Sequence, residues 1–111
     1  MGYGLTFYTM FNDMSEEVHQ TAKAHGFWEG EHNKAEKIAL MHSELSECLE
    51  AIRKPRKDDH ISKYDNEVVE LADCVIRIMD YAAHFDLPLG EAIRDKNEYN
   101  RKRPHKHGKS F

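Results

Sequence analysis

The chain has 111 residues and a formal net charge of −4, with 32% charged and 40% hydrophobic residues. That balance suits a single soluble globular domain, 1–111, and excludes a disordered chain. No apolar run nears the roughly 20 residues of a membrane span, and the start MGYGLTFYTMF lacks a signal peptide's regions, so a cytoplasmic location without membrane partners is expected.

Helical periodicity runs through the sequence, with no repeat and no strand-like alternation. Phe7, Phe11, Met14, Val18, Ala22 and His25 mark one stripe of a first helix, capped by Thr6 and stopped by Gly26. After the break at 26–30, a second helix is predicted over 32–54, ended by Pro55. Its expected core stripe is Ile38, Met41, Leu45, Cys48, Leu49 and Ile52. The charged stretch 55–63 reads as a loop. A third helix over 63–85 is the most apolar part of the chain, and Pro88 opens a fourth over 89–101. A basic tail, 103–111, follows.

These elements predict an all-α, four-helix bundle-like protomer. The third helix is apolar nearly all round, which implies burial nearly all round. In so small a protomer that burial calls for a second subunit, so a homodimer or homotetramer is expected. Cys48 and Cys74 fall among apolar helix positions and read as buried free thiols.

Charge is unevenly placed. Seven Lys/Arg from Arg94 onward, against Asp95 and Glu98, make the end +5 and leave −9 for the rest of the −4 total. An acidic body is a poor duplex-binding surface, so no nucleic-acid partner is expected. On the third helix, Glu67, Glu70, Asp73, Arg77 and Asp80 share one stripe at about 100° per residue. On the second, Glu44 and Glu47 lie beside the apolar stripe.

Glu44-x-x-Glu47 and Glu70-x-x-Asp73 thus offer two acidic pairs, whose partners stand roughly 5–6 Å apart. Two carboxylates at about 5.5 Å repel by about 3 kcal/mol at an effective dielectric near 20. A divalent cation reverses that sign. Oxygen-only donors favour Mg²⁺, with Mn²⁺ as a substitute.

The run 40–51, Leu-Met-His-Ser-Glu-Leu-Ser-Glu-Cys-Leu-Glu-Ala, resembles the ExxE helix of the MazG-like nucleotide pyrophosphohydrolases. The run 70–77, Glu-Leu-Ala-Asp-Cys-Val-Ile-Arg, is similar to their ExxD helix. Residues 96–100 with the tail from Arg103 resemble the C-terminal pattern of the compact members. The resemblance implies an all-α oligomer that hydrolyses nucleoside triphosphates between the α- and β-phosphates with Mg²⁺.

It further implies Glu44, Glu47, Glu70 and Asp73 as the metal site, with Glu47 also a candidate proton acceptor from the attacking water. Lys96, Asn100 and Arg103 are implied contacts to the substrate. The block 24–28 resembles the family's segment near the base pocket, and Trp28 either stacks on a nucleobase or closes the core. Glu50, Glu67 and Asp80 read as flanking or solvent-facing, and Arg77 as an ion-pair partner.

Two rival readings stand beside this one. A di-iron carboxylate bundle needs Glu-x-x-His on two helices, and within the predicted helices only Glu16-x-x-His19 supplies that spacing. A non-enzymatic helical oligomerisation module accounts for the apolar third helix, but not for acids at the core edge.

Overall fold

Four helices form in the order expected: α1 (Gly4–Ala24), α2 (Lys34–Arg53), α3 (Asn66–His84) and α4 (Leu89–Arg101). The computed structural model describes residues 4–104, so the tail residues His105, Lys106, His107 and Lys109 lie outside the described residues. Among the described residues the extended pairing amounts to one isolated bridge between Lys57 and Asp65. Among the described residues no helix is long and apolar enough to cross a membrane.

Local chemistry explains where each helix begins and ends. α1 starts before Thr6, which therefore sits inside the first turn rather than at the cap. Its end is the predicted one: Gly26 adopts φ 87°, its N–H donates to Lys23 O, and Phe27 N–H donates to Ala22 O. That pairing satisfies carbonyls the helix leaves open. α2 begins two residues later than the spacing suggested, because Asn33 Oδ1 accepts from Ala35 N and Glu36 N at 2.8 and 3.3 Å.

α3 also starts late, since the backbone before it is committed to the loop. Asp58 N donates to Tyr64 O, Tyr64 N to Ile61 O and Asn66 N to Arg56 O. The α3–α4 turn repeats the α1 ending with Asp86 at φ 56° in place of glycine. There Leu87 N–H donates to Ala82 O and Asp86 N–H to Ala83 O.

α3 is the hub. It packs against α2 on one flank and α1 on another, while α4 packs on α1. The spatial order α2, α3, α1, α4 leaves the four helices open rather than closed into a ring. A radius of gyration of 16.3 Å, against about 13 Å for a compact domain of this length, agrees with that openness. The buried apolar set among the described residues is correspondingly small: Cys48, Ala51, Cys74, Met79 and Ala82. Both cysteines are free.

The expected core stripe of α2 is rotated. Cys48 and Ala51 face α3, with Cys48 Sγ against Glu67 O and Cys74 Sγ against Met41 O. Leu45, Leu49 and Ile52 stand on the outside, Leu49 with 61% of its surface exposed. α3 presents a matching outer stripe, Val68, Leu71 and Val75, each about half exposed. At about 100° per residue, both stripes lie on the side of the α2–α3 pair away from Leu40 and Asp73.

α4 is seated by a close backbone approach. Gly90 is buried and donates its N–H to Asn12 Oδ1 at 3.1 Å, while Asn12 Nδ2 donates to Glu91 Oε1 at 2.6 Å. A Cβ at Gly90 would lie 2.8 Å from Tyr8 O and 3.0 Å from Tyr8 Cα, both backbone atoms. Gly90→Ala is therefore expected to destabilise the protein by about 1–3 kcal/mol. Urea denaturation should show this as a lower midpoint; an unchanged midpoint would mean that α4 shifts freely on α1.

Candidate metal centre and its cavity

α2 and α3 run antiparallel, which sets the middle of one helix against the middle of the other. The result brings Glu44, Glu70 and Asp73 together, with one carboxylate oxygen from each lying within 4.8 Å of the others. All three are half-buried. Glu47, one turn beyond Glu44, is exposed and outside that trio, although its charge is felt at Glu70. Of the four acids expected to converge, three do so and the fourth flanks them.

The trio is electrostatically uncomfortable. Burial first, then the charges of Asp73, Glu44 and Glu47, and a hydrogen bond with Glu44, push the Glu70 carboxyl above its ordinary 4.5. Burial, then Glu44 and Asp58, push Asp73 above 3.8, and Arg77 only partly opposes them. Arg77 meets Glu44 directly, its Nε donating to Oε1 at 2.7 Å. The expected ion pair on this stripe therefore forms across the helix pair, to α2.

These residues fit a hard divalent cation. Mg²⁺ takes oxygen at about 2.0–2.1 Å, so trans oxygens stand about 4.2 Å apart. A small inward movement of three oxygens already within 4.8 Å meets that requirement. Among the described residues no nitrogen or sulfur ligand stands with the trio, which disfavours zinc.

Beside the trio opens a cavity of about 540 Å³, framed by α1, α2 and α3. Glu44, Asp73 and Arg77 line one end. Met14, Val18, Met41 and Ile76 form an apolar middle, and Phe27, Trp28, Lys37 and Asp80 line the other end. The predicted α1 stripe thus borders this space, while Ser15 and His19 take the buried positions.

Trp28 is held from every side. Its Nε1–H donates to both Asp80 oxygens, at 2.9 and 3.0 Å. The His84 ring stacks on it at 3.7 Å and 8°, and the Lys37 ammonium sits over the indole 4.2 Å from its centroid. A parallel ring at 3.7 Å fills one face, so Lys37 covers the other. A flat ligand can stack on Trp28 only by displacing Lys37. Asp80 also accepts from buried His19, whose Nδ1 lies 2.8 Å away.

Asp80, expected to flank or face solvent, is thus the anchor of this end. His19, His84 and Lys37 were not singled out for it by the sequence. The pairs span 61 residues (His19–Asp80) and 52 (Trp28–Asp80), beyond any local pattern. One signal was present: Asp80 shares the stripe of Asp73 on a helix that is otherwise apolar.

Lys96 and Asn100 do not reach the cavity within the protomer. With Leu89, Ala92 and Ile93 they line a separate groove on α4. Lys96 and Arg103 lie over the Tyr99 ring, at 4.7 and 5.5 Å from its centroid. Asn100 Oδ1 is buried without a hydrogen-bond partner among the described residues.

Compared with protein-family models, curated proteins and solved structures, the chain finds no match.

Proposed function

We propose that this chain is a Mg²⁺-dependent nucleoside triphosphate pyrophosphohydrolase, converting a (d)NTP and water to the (d)NMP and pyrophosphate. The observation that carries the reading is the meeting of Glu44, Glu70 and Asp73 beside a cavity of nucleotide size. The resemblance of the two acidic helices to the MazG-like pattern supports it. Nucleotide-pool cleaning, or supply of monophosphates to a phage or mobile element, is the physiological setting such chemistry serves.

Each residue then has a task. Glu44, Glu70 and Asp73 hold the cation, which supplies charge neutralisation at the phosphate oxygens when bound. Glu47, exposed and one turn away, takes the proton of the attacking water or completes the ligand set. The apolar middle of the cavity receives the nucleoside, and the base meets the Trp28 end as Lys37 withdraws. Lys96, Asn100 and Arg103 stand off this cavity, so their contacts to phosphate are proposed across a subunit boundary.

We infer a homodimer or homotetramer, a reading supported by the outer stripes of α2 and α3, which no described element of the protomer covers. Two copies facing each other along Leu45, Leu49, Val68, Leu71 and Val75 would supply the burial that the third helix calls for.

A panel of (d)NTPs incubated with Mg²⁺ and scored by product tests the activity. Monophosphate and pyrophosphate are expected, and EDTA should stop their formation. Release of inorganic phosphate and a nucleoside diphosphate would place the cut at the outer phosphate and end this reading.

A further inference from the structure

At the end of the cavity remote from Glu44 and Asp73, one indole is pinned by an aspartate, a lysine and several imidazoles. Three imidazoles crowd Trp28: His84 stacked on it, His19 edge-on at 5.4 Å, and His32 edge-on at 4.7 Å. His84 itself lies 5.1 Å from His19 and 5.6 Å from His32, ring centre to ring centre. His32 Nε2 also contacts the Trp28 carbonyl. Trp28 is the chain's only tryptophan.

We propose that His84 is a proton-controlled latch on Trp28. The neutral imidazole holds the indole as the cavity's end wall, and protonation releases it. The latch stands on the geometry of this cluster and does not depend on what the cavity binds.

The groups around His84 explain the direction. From α1 come His19 and Lys23, and from the α1–α2 connection His32. From α2, Lys37 covers the far face of Trp28 and Lys34 lies 4.5 Å from the neighbouring Phe85 ring centre. His19, His32 and Lys23 oppose a positive charge on His84. On α3 itself, Asp80 favours a charged His84, as does the negative end of the helix dipole. Asp80, however, already accepts from Trp28 and His19.

An indole face attracts an imidazolium, but Lys37 already occupies this indole's π system from the other side. The net direction is down: burial first, then His19 and His32, hold His84 below its ordinary 6.5. A depressed histidine contributes stability that is full above pH 6.5 and is lost as pH falls through the lower folded value. In that window the proton and the stacked arrangement compete, and Trp28 is the group set free.

The sole tryptophan makes the test direct. Acrylamide, a neutral collisional quencher, is titrated against Trp28 fluorescence of the full chain between pH 7.5 and pH 5. Quenching is expected to rise several-fold on acidification, with its midpoint matching the His84 ring titration followed by NMR. His84→Phe, which keeps a ring on the indole, is expected to show quenching that does not change with pH. Constant quenching in the wild type across a completed His84 titration would overturn the latch. So would a midpoint that tracks His19 or His32, a result readable in the wild type even if the variant fails to fold.

Discussion

Glu70→Gln is expected to raise the thermal midpoint of the metal-free protein and to remove most of the rise that Mg²⁺ brings to the wild type. Glu70 is held above its ordinary pKa by burial and by three neighbouring carboxylates, so its ionised form is a burden on the empty fold. A group with a raised folded pKa contributes stability below its unfolded value and loses it as pH rises through the folded value. The metal-free wild type should therefore weaken as pH climbs past 4.5, and the amide substitution should flatten that slope.

Metal reverses the order. At a hundredfold excess over Kd, a ligand bound only by the native state adds about 2.7 kcal/mol, or a rise of about 10 °C for a domain of this size. Glu70→Gln withdraws a charged ligand and should lose most of that gain. Glu47→Gln provides the companion: its fold and metal response should stay near wild type while turnover falls by about 10²–10⁴-fold. Calorimetric melts with and without Mg²⁺, beside product assays, separate the two roles. A Glu70→Gln protein that melts lower without metal and still gains fully from Mg²⁺ would remove the basis for a cation between these helices.

On the proposed subunit contact, the wild type is expected to self-associate and Leu71→Lys to remain a folded monomer. Leu71 is already 45% exposed in the protomer, so a lysine there can keep its ammonium in water and cost the single copy little. Facing a second copy along the same stripe, it would bring two desolvated cations into an apolar contact, which is severely unfavourable. Light scattering should show the wild type at a multiple of 13.0 kDa and the variant at one protomer mass, with matching helical circular dichroism. A wild type that stays at 13.0 kDa at high micromolar concentration would discard the subunit contact. It would leave Lys96 and Asn100 without a route to the cavity.

The helices were legible because their boundaries rest on local chemistry: Gly26 in a left-handed turn, Pro55 beyond α2 and Pro88 before α4. The acidic pairs were legible for the same reason, since spacing along a helix fixes which side chains share a face. Direction was harder. Leu45, Leu49 and Ile52 looked like core together with Cys48, yet Cys48 takes the helix contact with Ala51 while those three stand outside. Periodicity marks an apolar face without telling whether the same chain or another copy covers it.

Glu47 shows the same limit at the site, because spacing places it near the cluster without fixing which oxygens converge. The Trp28 end was the least legible. Its partners come from α1, the α1–α2 connection, α2 and the far end of α3, so only the assembled fold puts His19, Lys37, Asp80 and His84 in contact.

The serial order of the helices has a mechanical meaning. α4 leans mainly on α1, seated by Gly90 and Asn12, whereas α3 is gripped on two flanks. Small openings of the molecule are therefore expected to begin at α4, with the α2–α3 carboxylates staying in register, which amide hydrogen exchange would read out. Lys96 and Asn100, on the groove of that helix, would share its opening.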